Sequence, residues 1–355
     1  MIAVREARPE DGPALAALLL ANPLRAGTAF VLDRSPDFFA LLGLRGRFRT
    51  FVATLGGRIV GTASAIWHEA LDGSDTVRTG EIADLRVAEE VRGGRAAALL
   101  LGAVRDALEA EGTEWAVCLI GDRNEAAVRL VSGGAGLPAL EPLERWASVH
   151  YIALRTFLRR RRSHTRVRGA TPGDATALAT LIATATPRAR LAPHRQFDWP
   201  DESGAHRGWI AEDHRGRPVA GLVVWDGNAV RRIRIAGYRP ADLPLRIGVG
   251  IAAGLGLATP LPRLGGVLSM WASRSLCTLP EGVGAVPDLV GAALAQAAGA
   301  RINVVQINVG ERDPVLRALP GFPHSTYWST LYGRRLRGAA MRTGAEHFHA
   351  DLARV

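Results

Sequence analysis

A basic glycine turn lies between a strand-like segment and a helix-like segment in residues 81–101. The first turn of a helix presents backbone N–H groups without intrahelical partners, together with a partial positive charge. Glycines let an anion approach that backbone, and arginines add fork-shaped hydrogen-bond donors. The pattern predicts a phosphate or diphosphate site, with a solvated surface turn as the alternative. The turn and the first helical residues are Arg92, Gly93, Gly94, Arg95, Ala96 and Ala97.

The strand before this turn carries charged residues among apolar ones. Side chains of a regular strand alternate between the two faces of its sheet. This period predicts one face with Glu81, Ala83, Leu85 and Val87, and the opposite face with Asp84 and Arg86.

Two other groups of reactive side chains are not predicted to be catalytic. Cys118 and Cys277 are far apart in strand-like apolar segments, which favours reduced core thiols over a disulfide. Glu346, His347 and His349 lie in a C-terminal tail, where an exposed end is the simpler interpretation. No metal site is predicted.

These residues must be positioned by a mixed α/β unit, and that unit occurs twice. The strand, capped turn and helix of residues 4–18 recur at 167–181, and the hairpin of residues 51–63 recurs at 209–223. Where the second copy should carry the basic turn it has Glu281, Gly282 and Gly284 without an arginine. The expected organisation is a first domain at 1–155, an Arg-rich linker at 156–166, a degenerate second domain at 167–335 and a tail at 336–355.

The whole chain limits the classes of protein that fit. It has 355 residues, a net charge of +10 and no lysine, so its basic side chains are all arginines. No apolar run approaches the roughly 18 residues that span a bilayer, and Met1 leads directly into a strand-like segment. We therefore expect a cytoplasmic protein without a membrane partner. Dispersed arginines and few aromatic residues favour an anionic cofactor over nucleic acid.

The order of elements and the turn at Arg92 resemble the GNAT superfamily of acyl-CoA-dependent N-acetyltransferases, here as a tandem pair. The family turn has Arg or Gln, two residues, Gly, one residue, and Gly or Ala. Arg92 matches its first position and Ala97 its last, whereas Arg95 stands at the middle glycine, directly after Gly93 and Gly94. The resemblance implies an α/β fold of two GNAT-like domains. Each would have a mostly antiparallel central sheet with splayed middle strands and flanking helices.

The resemblance also implies roles for particular residues. The backbone of Leu85, Arg86 and Val87 would hold the pantetheine arm of acetyl-CoA or another acyl-CoA. The turn would hold the pyrophosphate, and Asn124 would contact the cofactor. Glu81 would be the general base, with a solvated strand-end carboxylate as the alternative. The family's tyrosine acid is replaced by Val131, so that catalysis would run without a side-chain acid or take one from elsewhere, for which the candidates are His68, Ser132, His150 and Tyr151.

The resulting hypothesis is an N-acyltransferase. It would move an acetyl or longer acyl group from coenzyme A to an amine of a small molecule or peptide, by direct attack in a ternary complex. The alternative is a protein that keeps the fold and binds coenzyme A without turnover, as a scaffold. Either a monomer or a homodimer is compatible with the sequence.

Overall fold

The computed structural model describes residues 1–25, 28–72, 75–134, 138–155, 165–185, 189–193, 204–337 and 347–349. Most of the predicted linker and tail lie outside these ranges, as does Glu346. Below, "first half" means residues 1–155 and "second half" means residues 165–337.

The strands are β1 (Ile2–Glu6), β2 (Leu24–Arg25), β3 (Ala29–Asp33), β4 (Arg47–Leu55), β5 (Arg58–Asp72), β6 (Asp75–Val87), β7 (Trp115–Gly121), β8 (Glu141–Ile152), β9 (Arg166–Gly169), β10 (Ala189–Arg190), β11 (Ala192–Pro193), β12 (His206–Glu212), β13 (Pro218–Asp226), β14 (Arg232–Gly237), β15 (Val267–Leu268), β16 (Met270–Thr278), β17 (Val304–Gly310), β18 (His324–Arg335) and β19 (His347–Phe348). The helices are α1 (Gly12–Leu20), α2 (Ala40–Arg45), α3 (Ala96–Ala110), α4 (Glu125–Val131), α5 (Ala175–Ala185), α6 (Leu243–Gly254), α7 (Val286–Gly299) and α8 (Val315–Ala318).

Both halves contribute to one continuous, mostly antiparallel sheet, and the predicted fold class is confirmed. The strand order is β1-β4-β5-β6-β7-β18-β8-β17-β16-β13-β12-β9, with β11 paired to β5. The two halves have exchanged their last strands, because β18 lies between β7 and β8, and β8 in turn pairs with β17. Neither half therefore completes its sheet without a strand from the other. The domain boundaries given above stay a prediction.

Helices cover the two faces of the first half through separate apolar cores. Leu100, Val104 and Leu108 of α3 are fully buried or nearly so against one face. Helices α1 and α2 cover the other face in a second core that includes Leu15 and Leu42. The apolar spacing of each helix thus determines which side of the helix packs against the sheet.

A small second sheet links the two halves above the first half's strand ends. Its order is β15-β14-β3-β2, and β3 of the first half pairs antiparallel with β14 of the second. The buried carboxylate of Asp33 accepts a 2.7 Å hydrogen bond from Arg234 and lies 3.3 Å from Arg232. We call this four-stranded element the roof sheet.

Strand β6 contains a bulge that the residue pattern did not predict. Between the pairs Thr62↔Arg86 and Ser64↔Ala83, two residues of β6 oppose one residue of β5. Asp84 takes a left-handed backbone conformation there, with φ of 55°. The extra residue shifts the side-chain alternation. As a result Leu85 and Val87 pack in the α3 core and Ala83 in the α1/α2 core, so the predicted single face was wrong.

A bidentate ion pair holds the bulge. Both terminal nitrogens of Arg34 donate to Asp84, at 2.6 and 2.7 Å, and the Arg34 side chain is 1% exposed. Burial by itself would raise the pKa of Asp84, but the charge and hydrogen bonds of Arg34 bring it below its usual value. Arg34 directly follows β3, so the same contact attaches the roof sheet to β6.

Replacing Asp84 with Asn is expected to lower the free energy of unfolding by about 3 to 5 kcal/mol, because Arg34 would stay buried without a counter-charge. Asn tolerates the left-handed conformation, so the loss would report the charge rather than the backbone. Denaturant unfolding measures it, with the double variant Arg34→Met, Asp84→Asn as the matched control. The double variant should lose less stability than Asp84→Asn, and an equal or larger loss would contradict the role given to the ion pair.

Candidate functional site

The central strands β6 and β7 diverge beyond a short stretch of parallel pairing. Their register covers only Thr79–Glu81 with Trp115–Val117. Further along, β6 keeps its partner β5, while β7 is paired on its other side with β18. The opening between them, which we call the wedge, therefore exposes one backbone edge of β6, including Leu85, Arg86 and Val87. Such an edge offers backbone groups that no neighbouring strand pairs. Two of its carbonyls, those of Leu85 and Val87, accept hydrogen bonds from the side chains of Arg86 and Arg92.

The wedge opens into a cavity of about 480 Å³ that reaches from the first half to the second. The roof sheet contributes Phe30 and Leu32 of β3 and Ile233 and Ile235 of β14 to its lining. Thus the pairing of β3 with β14 closes one side of the cavity with apolar side chains. A largely apolar cavity with a few polar groups is the usual form of a small-molecule site.

The predicted phosphate turn stands at one end of the wedge, directly before α3. A short 3-10 helix at Glu89–Val91 precedes it, and Gly93 has a positive φ of 76°. Arg95 is the N-cap residue of α3, and its side chain does not cap the helix. The buried Ala96 and half-buried Ala97 begin the helix. The first amides of α3 therefore point toward the turn, as an anion site requires.

The two arginines of the turn have different environments. The Arg92 guanidinium donates to the side-chain oxygen of Asn22, which is buried at the end of α1, and to the carbonyl of Val87. Arg95 is exposed, and within the described part of the chain its side chain forms no hydrogen bond or ion pair. Arg92 thus connects the turn to α1 and β6, whereas the donors of Arg95 face the solvent.

Glu81 lies at the base of the wedge and lines the cavity. Its carboxylate forms an ion pair with Arg45 at the end of α2, and the two side chains are 17% and 5% exposed. The structure therefore places the predicted base in the cavity, but with a guanidinium already bound to it.

Asn124 also lines the cavity, and it caps α4 as well. Its side-chain oxygen accepts a 3.2 Å hydrogen bond from the amide of Ala127. The amide nitrogen of the side chain stays available to a ligand, since an N-cap uses only the oxygen.

Comparisons with known proteins agree with this geometry. Residues 23–132 match the model of the acetyltransferase (GNAT) family, a range that contains the turn, the wedge and α4. Residues 23–132 are thus similar to a GNAT acetyltransferase domain, and this match supports an acyltransferase. No curated protein sequence matches the chain closely enough to be reported as a relative.

Solved structures share the fold of nearly the whole chain. N-myristoyltransferase from Saccharomyces cerevisiae with bound myristoyl-CoA has a TM-score of 0.58 at 14% identity, covering 95% of this chain and 79% of that one. A GCN5-related N-acetyltransferase from Anabaena variabilis has a TM-score of 0.51 at 13% identity, covering 95% and 73%. At these identities the likeness concerns the fold alone.

The exchanged strands bring two further side chains to the cavity, namely Tyr327 and His150, of which the sequence had indicated only His150. Tyr327 of β18 lies over the end of β7, where a Cβ at Gly121 would stand 1.6 Å from its hydroxyl oxygen. Val131, at the position where the resemblance expects a tyrosine, is buried in the first half. His150 of β8 faces the cavity beside Gln306. No sequence signal pointed to Tyr327, because its position depends on which strand pairs with β7.

The cavity is lined by more positive than negative side chains. Its carboxylates are Glu81, Asp84 and Asp242, each paired with an arginine, the last with Arg239 at 3.0 Å. Further arginines line it as well, namely Arg86, Arg123, Arg231 and Arg246. The excess of positive charge suits an anionic cofactor or substrate group.

Burial lowers the pKa of His150 to about 4. Hydrogen bonds with Gln306 and Ser325 oppose this effect of desolvation, and the charge of Arg231 adds to it. His150 is therefore a neutral imidazole at physiological pH.

In the part of the chain that the structure describes, no group of three or more His, Cys, Asp or Glu side chains is arranged to hold a metal ion. None of the helices described there has the length and hydropathy needed to cross a bilayer.

His150→Gln is expected to make the free energy of unfolding less dependent on pH below about pH 6.5. Between pH 6.5 and 4 the unfolded chain binds a proton at His150 and the folded chain does not. The free energy of unfolding of the wild type therefore decreases by up to about 3 kcal/mol as the pH is lowered through this range. Glutamine keeps a hydrogen-bonding side chain without this titration. The free energy of unfolding of both proteins is measured across this pH range. Parallel curves for the two proteins would contradict the lowered pKa of His150.

Proposed function

We propose that the protein is an N-acyltransferase that transfers an acetyl or longer acyl group from acyl-CoA to an amine in a ternary complex. The observation that carries this proposal is the wedge between β6 and β7, which runs from the phosphate turn to an apolar cavity. The family match supports it, as does the bound myristoyl-CoA of the yeast structure, a protein of the same fold. The two free cysteines are consistent with work in the reducing cytoplasm.

In this proposal the cofactor follows the exposed edge of β6. Its pyrophosphate binds the first amides of α3 and Arg95, and Arg92 positions the turn. The pantetheine arm pairs with the backbone of Leu85 to Val87. The bulge at Asp84 then lies where the thioester enters the cavity, and its reoriented amides are donors for the oxygen that becomes negative during attack.

The acceptor amine must lose a proton to attack the thioester, and Glu81 is the proposed base. Substrate binding must first draw its carboxylate away from Arg45. An acyl-enzyme on the nearby Cys118 is disfavoured, because burial raises the pKa of that thiol to about 12. Transfer therefore proceeds directly from coenzyme A to the amine.

The departing thiolate of coenzyme A is the proposed partner of Tyr327. The hydroxyl of Tyr327 lies against Gly121 at the end of β7, on the opposite side of the wedge from β6. Donation from this tyrosine would replace that of the family's tyrosine, whose position Val131 occupies.

Arg95→Ala is expected to raise the Kd for acyl-CoA about tenfold or more, because a charged hydrogen bond contributes about 1.5 to 3 kcal/mol. Arg58→Ala is the matched control, since Arg58 is exposed and pairs with Glu90 beside the same turn. Calorimetric titration measures the Kd of both variants for coenzyme A and for pantetheine, which has no phosphate group. The Arg95 effect should vanish with pantetheine, and unchanged affinity for coenzyme A would refute the placement.

Glu81→Gln is expected to lower kcat by about 100-fold or more with the Kd for acyl-CoA unchanged, because it removes the base and leaves the proposed cofactor contacts in place. Tyr327→Phe should lower kcat by about tenfold, since a thiolate with a pKa of about 8 to 9 also leaves unprotonated. Glu125→Gln, on the exposed face of α4, is the control and should match the wild type. Release of free coenzyme A with a panel of amines measures all three, and full activity of Glu81→Gln would exclude it as the base.

A further inference from the structure

Helix α6 exposes an apolar face that nothing in the described structure covers. Leu243, Ile247 and Ile251 lie four residues apart and are 52%, 55% and 63% exposed, and Leu255 follows at 69%. In α6 only Val249, on the opposite side of the helix, is buried. A surface helix of a soluble domain ordinarily turns its apolar face inward, so this arrangement is inverted.

The rest of the outward face of α6 is also free of acidic side chains. Between the apolar residues stand Pro244, Gly248, Gly250 and Gly254, and for each of these glycines the space where a Cβ would point is open. The one charged residue of the helix, Arg246, lies at the edge of this face. The outward face is therefore smooth and apolar, and it has a basic border.

A neighbouring loop extends the patch and adds a second arginine. Tyr238 connects the two elements, because its hydroxyl donates to the carbonyl of Pro262 at 2.7 Å and its ring lies 4.2 Å from the Arg246 guanidinium carbon. Directly after Pro262 come the exposed Arg263 and Leu264, the latter 67% exposed. We call Leu243, Ile247, Ile251, Leu255 and Leu264 with Arg246 and Arg263 the α6 patch.

The charge of the patch distinguishes between partners. Asp242 is the nearest acid on this helix, and its carboxylate is turned to Thr28 and Arg239, at 2.8 and 3.0 Å. Packing against a second copy would bring the positive charges of the two patches together, and the patch has no exposed carboxylate to pair with them. Nucleic acid would match the arginines but would leave the apolar face in water. An anionic lipid surface takes up both, since apolar side chains enter the interface and arginines reach the phosphates.

We propose that the α6 patch docks the protein on an anionic membrane surface. Tyr238, Leu245, Arg246 and Leu261 line the cavity and also border the patch. Docking therefore brings this part of the cavity wall to the bilayer surface. The lack of an apolar run long enough to span a bilayer led us to expect no membrane partner, but a helix that lies on the surface requires no such run. This inference concerns binding alone and is independent of the proposed catalysis.

Sedimentation of the full chain with vesicles tests the inference. We expect binding to phosphatidylcholine vesicles that contain about 30% phosphatidylglycerol and little binding to phosphatidylcholine alone. Ile247→Asp, Ile251→Asp should lower the vesicle partition coefficient by about tenfold or more, because two apolar side chains no longer enter the interface. Leu20→Asp, Leu55→Asp changes two exposed apolar residues of the first half and should leave it unchanged.

Further measurements distinguish membrane docking from dimerisation and from RNA binding. Arg246→Gln, Arg263→Gln should weaken the dependence on anionic lipid while the thermal unfolding of the variants stays that of the wild type. Equal vesicle binding by the wild type and by Ile247→Asp, Ile251→Asp would overturn the proposal. So would a wild-type dimer in light scattering that the same double variant dissociates, if vesicle binding is absent, because a second copy would then cover the patch. Salt-sensitive binding to RNA without vesicle binding would also overturn it.

Discussion

The ion pair between Arg34 and Asp84 is the contact on which the arrangement of the site depends. It holds Asp84 in a left-handed conformation within a long strand, a conformation that few residues other than Gly, Asn and Asp adopt. That conformation creates the bulge, and the bulge redirects the backbone of β6 where it borders the wedge. The pair also connects the roof sheet to β6, because Arg34 directly follows β3. One buried charge pair therefore positions both the edge that meets the proposed thioester and the roof above the cavity.

The exchange of last strands has a comparable effect on the composition of the site. If each half kept its own last strand, β8 would take the place beside β7, and Tyr327 would lie in another part of the protein. Here β18 takes that place, with Ser329 opposite Gly121. The second half thus does more than brace the first, since it supplies a wall of the cavity and the candidate proton donor. It lacks an arginine at the position of the basic glycine turn. This difference agrees with the proposal, in which one half would hold the cofactor and both would enclose the acceptor.

The cavity also illustrates how arginine is used in a chain without lysine. Arg34, Arg45 and Arg239 neutralise the carboxylates of the cavity through ion pairs. The remaining arginines leave the site positive, which favours an anionic ligand and opposes a cationic one. An amine acceptor would therefore be admitted more readily as part of a molecule that also carries negative charge.

The sequence alone determined the elements that depend on local patterns. The basic glycine turn, the helix that starts at Ala96, the hairpins and the internal repeat follow from spacing and residue type over short distances, and the mixed α/β class follows from their order. The different environments of Arg92 and Arg95 could not be predicted from the sequence, because they depend on the position of α1, which brings Asn22 to the turn. The bulge at Asp84 shifted the face of Leu85 and Val87, and it depends on Arg34 fifty residues away. The pairing of β7 with β18 brought Tyr327 to the wedge, and a register between distant strands is a global property of packing that no local pattern encodes.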